Sequence, residues 1–208
     1  MTAYGNSVCL GKGLGRGGRP SDTWFEQTRS YFRVPGTNGA VVGTQWPGTI
    51  LTQQQYPERQ PWLQIFWGGH ADAAKNRAAT IPGNVQTLVD YCTGPYLILG
   101  TTNGHSGGVS DPAHPTYYQA VFSGSGSNAQ LAATHGPNYI DVQKYLMTSA
   151  LADAGITPTT TDQQYLANGQ VPFSLLNPNG EVHLNLAGQS AVAQHLVIPY
   201  LVSAGWLG

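Results

Sequence analysis

Residues 63–72 read LQIFWGGHAD. The run from Leu63 to Trp67 is too short for a helix and stops at Gly68 and Gly69, which predicts a strand buried on both faces. Tyr96–Thr101 (YLILGT) is a second run of the same kind. Outward from this pair, short β-like runs alternate with helix-like ones, the signature of parallel βαβ units. Thr2–Asn6 reads as the first strand, Gly39–Val42 as the second, ended by Gly43 and the Pro47–Gly48 pair, and Tyr139–Val142 as the last. Helices are predicted over 21–32, with Thr23 and Glu26 as a capping pair, over 82–92 with proline in the first turn, and over 143–154 up to Gly155. A final helix covers 186–203, where Pro199 should kink or end the regular part. Segments 102–128 and 156–180 read as loops. The expected fold is a three-layer α/β/α sandwich around a mostly parallel five-stranded sheet, one domain over residues 1–208.

Only 9% of the residues are charged and the net charge is -1, against about 25% charged in an ordinary soluble domain. Lys12, Arg16 and Arg19 in a glycine-rich stretch are the sole basic cluster, so nucleic acid is not an expected partner. A polar surface with little charge suits a secreted protein, or one packed in a larger assembly such as a virus particle. No apolar run approaches the roughly 18 residues of a membrane span. The first residues carry neither the basic nor the apolar region of a secretory signal. Cys9 and Cys92, the two cysteines, read as buried small hydrophobes. The histidines His105, His114 and His135 lack metal-ligand spacing, so neither a metal nor a cofactor is expected.

Open parallel sheets bind ligands at the carboxyl ends of their strands. Ser7, Gly43 and the turn Gly68–Asp72 all fall at such ends. Gly13, Gly15 and Gly18 match the dinucleotide pattern G-x-G-x-x-G, but Pro20 stands where the required helix should already be running, so the match carries no nucleotide site. A serine after the first strand, a glycine after the second, a GGHAD turn after the third and a histidine before the last helix fit the layout of an acyl hydrolase. Asp72, followed by AAKNRAA, reads as a helix N-cap. Trp46, Tyr117 and Tyr118 read as core and loop packing, or as flat walls of a sugar or acyl groove.

These pieces resemble the SGNH (GDSL-type) hydrolases over nearly the whole chain. Gly5-Asn6-Ser7 is similar to the first family block, with Asn6 in place of aspartate. By that resemblance Ser7 is the nucleophile and its N–H one oxyanion donor, and Gly43 supplies a second N–H. The third block, Gly-x-Asn-Asp, falls on Gly69-His70-Ala71-Asp72, which leaves Ala71 where the family has its oxyanion asparagine. Shifting the frame by one residue puts His70 there instead, as a side-chain donor. The last block, Asp-x-x-His, falls on Gly180-Glu181-Val182-His183. His183 is then the general base, Gly180 lacks the orienting acid, and Glu181 is its neighbouring substitute. The resemblance implies a serine ester hydrolase acting on an ester of a cell-surface carbohydrate or lipid, extracellular or virion-associated. The departures at Ala71 and Gly180 hold open an alternative, a catalytically degenerate module kept for binding or structure in a larger assembly.

Overall fold

The computed structural model describes residues 1–14, 18–104, 117–178 and 182–206. In chain order the elements are β1 (Thr2–Gly5), α1 (Ser7–Leu10), α2 (Trp24–Phe32), β2 (Thr37–Asn38), α3 (Trp46–Gln54), β3 (Gln64–Trp67), α4 (His70–Ala73), α5 (Ile81–Asp90), β4 (Tyr96–Leu99), α6 (Tyr117–Phe122), α7 (Ser127–His135), β5 (Tyr139–Ile140), α8 (Val142–Thr148), α9 (Ala150–Asp153), α10 (Thr160–Ala167), α11 (Leu186–Ala191) and α12 (Ile198–Ala204). The strands form one parallel sheet in the order β2-β1-β3-β4-β5. With helices on both sides of it, this is the α/β sandwich that the alternating pattern predicts.

The chain groups into two compact units. The first holds Met1–Leu10, Gly36–Thr101 and Thr116–Asp141. Its sheet is built from runs that can afford no exposed face: every residue of β1 and β3 is buried. The parallel register sets Tyr4 opposite Phe66 and Phe66 opposite Ile98. That row faces a core completed by Trp46 of α3, Ile81, Val85 and Leu88 of α5, Val121 of α6 and Leu131 of α7. Tyr4 and Phe66 stack with ring centroids 6.4 Å apart. Alternate residues Ala3, Ile65 and Leu97 are equally buried, which is why these strands read as continuous apolar runs. The edge strands are only two residues long and gave little pattern to read.

The second unit holds Gly11–Pro35, Thr102–Pro115 and Val142–Gly208. Thr23 caps α2 as expected, its hydroxyl accepting the Glu26 N–H at 3.3 Å. The Trp24 N–H donates to the buried Oε1 of Gln189 on α11 at 3.0 Å. Pro199 does not end the last helix: a π-helical stretch, Val192–Val197, precedes it and carries the chain from α11 into α12. A proline removes one N–H from the ladder, and a local change to wider pairing absorbs such a defect. Gly205, at φ 66°, closes the helix in the left-handed conformation.

Several boundaries differ from the sequence reading. The second strand is Thr37–Asn38 rather than 39–42, although Gly39 and Val41 still donate to Ala3 and Gly5 of β1 at 2.9 and 3.0 Å. Pro47 does not end a segment but sits in the first turn of α3, where its missing N–H costs nothing. The expected 102–128 loop contains α6 and the start of α7, and the expected 156–180 loop contains α10. Tyr117 and Val121, one helical turn apart, bury the face of α6; α10 is set off by a capping box between Thr159 and Asp162. The helix expected over 143–154 is divided, α8 ending at Thr148 and α9 starting at Ala150.

One buried polar contact ties the helices of the first unit to its sheet. Gln64, at the start of β3, accepts from Nε2 of Gln53 on α3 at 2.7 Å, and the same Nε2 lies 3.0 Å from the Leu88 carbonyl of α5. Both glutamines are buried. Gln53→Ala strands those acceptors away from water, so the variant should lose about 1–3 kcal/mol of stability, read as a lowered urea midpoint with an unchanged slope.

Candidate functional site

The carboxyl ends of β2, β1 and β3 bring three of the sequence-predicted residues to one edge of the sheet. At the centre, β1 ends in Gly5, and a Cβ there would lie 1.9 Å from the Trp67 carbonyl oxygen of β3. Only glycine fits that approach. Asn6 then turns the chain: its main-chain oxygen accepts the Leu10 N–H at 3.0 Å and its side-chain oxygen accepts the Val8 N–H at 3.0 Å. Asn6 is 3% exposed, so the amide side chain serves as a cap within the turn. Ser7 is the first residue of α1 and is half-buried.

On one side of β1, the pairing with β2 runs on to the bond from Val41 N–H to Gly5 O. The chain then turns, closed by Thr44 N–H to Val41 O at 3.2 Å, with Gly43 in the left-handed region at φ 72° and exposed. Val41 and Val42 stand exposed beside it, at 46% and 53%.

On the other side, β3 runs into Gly68, Gly69 and His70. Gly68 lies on the indole of Trp46, where a Cβ would come within 3.0 Å of the ring. Gly69 takes φ 94°, and a Cβ would meet Thr101 Oγ1, which itself donates to the Gly68 carbonyl at 2.9 Å. His70 opens α4 half-buried, and its Nδ1 lies 2.6 Å from the hydroxyl of Tyr117.

Asp72 is not the cap of its own helix. It lies within α4, 1% exposed, and both carboxylate oxygens accept the N–H of Trp46 at 3.2 Å, at the first turn of α3. A carboxylate there satisfies an orphan donor and meets the positive end of the helix dipole. It also clips the segment after Gly43 to the segment after His70. Burial pushes its pKa up to about 6, opposed by the Trp46 hydrogen bond and by Arg77 and Lys75. The 26-residue separation left no trace of this clip in the sequence.

Trp46 and Tyr117 belong to the core, at 3% exposure each, so neither forms the wall of an open groove. Cys9 is fully buried, and burial pushes its thiol pKa far up, against one hydrogen bond with the Trp67 backbone, so it is no competing nucleophile.

His183 belongs to the second unit and is 6% exposed. Its strand-like segment is pinned on both sides. Asn177 N–H donates to His183 O at 2.9 Å, Leu176 bridges Leu184, and Asn185 N–H donates to Leu175 O at 3.0 Å. Gly13, at φ 117°, packs against it so closely that a Cβ would stand 2.6 Å from the His183 Cβ. The glycine-rich stretch that imitates a dinucleotide motif therefore gives room to this histidine; Gly15 of that motif lies outside the described residues. Gly180 and Glu181, where the resemblance would set an orienting acid, also lie outside them.

Elsewhere in the second unit a buried carboxylate does structural work that sequence reading missed. Asp162 accepts from the N–H and hydroxyl of Thr159 at 2.8 and 2.7 Å, and from the N–H and hydroxyl of Ser174 at 2.8 Å each. Asn185 Nδ2 donates to the Ser174 and Leu176 carbonyls, and its Oδ1 caps α11 by accepting Gly188 N–H. Burial works to raise the Asp162 pKa, but the bonds from Ser174 and Thr159 outweigh it and hold the carboxyl below its ordinary value.

Among the described residues no cluster of histidine, cysteine and carboxylate could hold a metal ion, and no helix is long and apolar enough to cross a membrane.

The two buried aspartates predict opposite pH dependences. The Asp72 pKa is raised on folding from about 4 to about 6, so the folded state binds the extra proton and stability falls as pH rises through that window. Asp72→Asn keeps an acceptor for Trp46 and should flatten this part of the slope in urea titrations at pH 4, 5, 6 and 7. The Asp162 pKa is depressed, so its stabilisation is present above the unfolded value of about 3.9 and is lost as pH falls through the folded one. Asp162→Asn should therefore cost stability at pH 7 and progressively less in acid, measured by the same titrations.

No protein-family model matches the chain, and no curated protein does. Solved structures do. The chain is similar to TesA at 15% identity and a TM-score of 0.62, with 96% of each chain covered. It is similar to the extracellular lipase of Streptomyces rimosus at 18% identity and a TM-score of 0.59, with 98% of each covered. A lipolytic protein of the G-D-S-L family from Veillonella parvula gives 18% identity and a TM-score of 0.56, over 97% of this chain and 95% of that one. At such low identities the likeness speaks for the backbone, and on that ground the chain has the SGNH (GDSL-type) hydrolase fold.

Proposed function

We propose that the protein is a serine ester hydrolase with Ser7 as nucleophile and His183 as general base. The observation that carries the reading is that Ser7, Gly43 and His70 follow the carboxyl ends of three neighbouring parallel strands, at the edge where such sheets bind ligands. The likeness to lipolytic hydrolases supports the same class of reaction.

In this reading the Ser7 hydroxyl attacks the ester carbonyl carbon while His183 takes its proton. The carbonyl oxygen becomes an oxyanion held by the N–H groups of Ser7 and Gly43 and by the ring N–H of His70. Collapse of the intermediate breaks the ester bond, and His183 returns the proton to the leaving alcohol. Water, deprotonated by His183, then releases the acyl group and restores Ser7. The frame with His70 as donor is favoured over the one with Ala71, because Ala71 has no polar side chain and Asp72 is already engaged by Trp46. Val41 and Val42 make an exposed apolar border beside Gly43, which suits the acyl part of a lipid or acylated carbohydrate. Glu181 is our candidate for orienting His183, since Gly180 has no side chain to do so. A nearly uncharged surface suits work outside a cell or in a virus particle.

The test is hydrolysis of p-nitrophenyl acetate and butyrate. Ser7→Ala and His183→Ala should each reduce turnover by at least about 10³-fold, and the double variant no further, because the pair acts as a unit. Fluorophosphonate should label the wild type and not Ser7→Ala. Equal background rates in wild type and Ser7→Ala, with no labelling, would overturn the reading in favour of a degenerate binding or structural module.

A further inference from the structure

The family block that this chain alters supplies an asparagine, whose amide always carries N–H groups. A neutral imidazole has one N–H and one bare nitrogen, and it donates from a given end only if something fixes the tautomer. At His70 that something is visible. Tyr117, the first residue of α6, has its hydroxyl 2.6 Å from His70 Nδ1 and its ring centroid 5.4 Å from the imidazole. A phenol O–H, with an ordinary pKa of about 10, is a stronger hydrogen-bond donor than a neutral imidazole N–H, and a bare imidazole nitrogen accepts better than a phenol oxygen, so this contact favours the phenol donating to a bare Nδ1.

We infer that Tyr117 is a positioning residue: its hydroxyl donates to His70 Nδ1 and so holds the imidazole as the Nε2–H tautomer, a neutral ring donor for the oxyanion. The inference rests on the proposed role of His70 and deepens it. Tyr117 is suited to the task by its surroundings. It is 3% exposed, within the core formed by Phe66, Ile81 and Val121, and its ring lies 6.0 Å from that of Phe122. Burial raises its pKa far above the ordinary tyrosine value, so the hydroxyl keeps its proton. On the main-chain side His70 follows Gly69, whose φ of 94° and close approach to Thr101 Oγ1 leave no room for a side chain. Backbone and hydroxyl together fix both the location of the ring and the nitrogen that bears the hydrogen.

Two measurements test this. Two-bond couplings in a long-range ¹H–¹⁵N spectrum of histidine-labelled protein, assigned by loss of the signals in His70→Asn, should report Nε2–H for His70 in the wild type and a tautomer mixture in Tyr117→Phe. An Nδ1–H tautomer in the wild type would overturn the inference, and this measurement needs no substrate and no variant that folds poorly. In kinetics, Tyr117→Phe should lower kcat for p-nitrophenyl acetate by about 10-fold, less than the loss of a whole oxyanion donor, with KM little changed. In the His70→Asn background the same change should have almost no effect, because the amide needs no tautomer set. Equal losses in both backgrounds would assign Tyr117 to the fold alone. Inactivity of the wild type would sink the proposed function, while the tautomer result would still decide whether Tyr117 sets His70.

Discussion

The closest backbone approach around the site is the seam between β1 and β3, where Gly5 meets the carbonyl oxygen of Trp67 with no room for a side chain. Parallel strands are fixed by evenly spaced hydrogen bonds, and here four residue pairs, from Thr2 with Gln64 to Gly5 with Trp67, set the register. A slip of one residue would turn Tyr4 and Phe66 out of their shared core and move Ser7 and His70 by a full strand rise relative to one another. The seam therefore decides at once which side chains fill the core and which groups meet at its edge. Gly5 belongs to the site because of what it lacks.

The same economy recurs at Gly69 against Thr101 and at Gly13 against His183. In each case a histidine or serine is brought close to packed backbone by removing a Cβ from its neighbour. Polar contacts then hold what the glycines allow: Asn6 within the Ser7 turn, Asp72 across from α4 to α3, and Asp162 through Ser174 toward the His183 segment. Each of these groups satisfies donors at or near a helix start that would otherwise be orphaned by burial.

The central strands were legible because burial on both faces leaves no alternation to confuse the reading, as in LQIFW and YLIL. The helix at Trp46 was not, because Pro47-Gly48 signals a turn as readily as a first helical turn. Nor were α6 and α10, short segments whose register is decided by burial of Tyr117 and by the cap at Asp162 rather than by composition. As candidates for the proposed site, Ser7, Gly43 and His183 are offered by order and spacing together with a family resemblance. The Asp72 clip and the Tyr117 contact span 26 and 47 residues, and nothing local marks either partner.

The chain's low charge has a counterpart in how its buried carboxylates are used. Among the described acidic residues the two most deeply buried, Asp72 and Asp162, are occupied by backbone and hydroxyl donors. A carboxylate committed to several such donors is a poor partner for an imidazole, because shifting toward the ring would strand the donors it leaves. Stabilisation of the oxyanion by the proposed site falls to dipoles: two backbone N–H groups and a neutral ring N–H. Fixed dipoles in a packed setting need little reorganisation as charge appears. Their value depends on orientation, and that gives the Tyr117 hydroxyl its weight. A histidine free to exchange tautomers would present its bare nitrogen part of the time and repel the oxyanion it is meant to hold, whereas one with Nδ1 engaged presents a donor whenever substrate arrives.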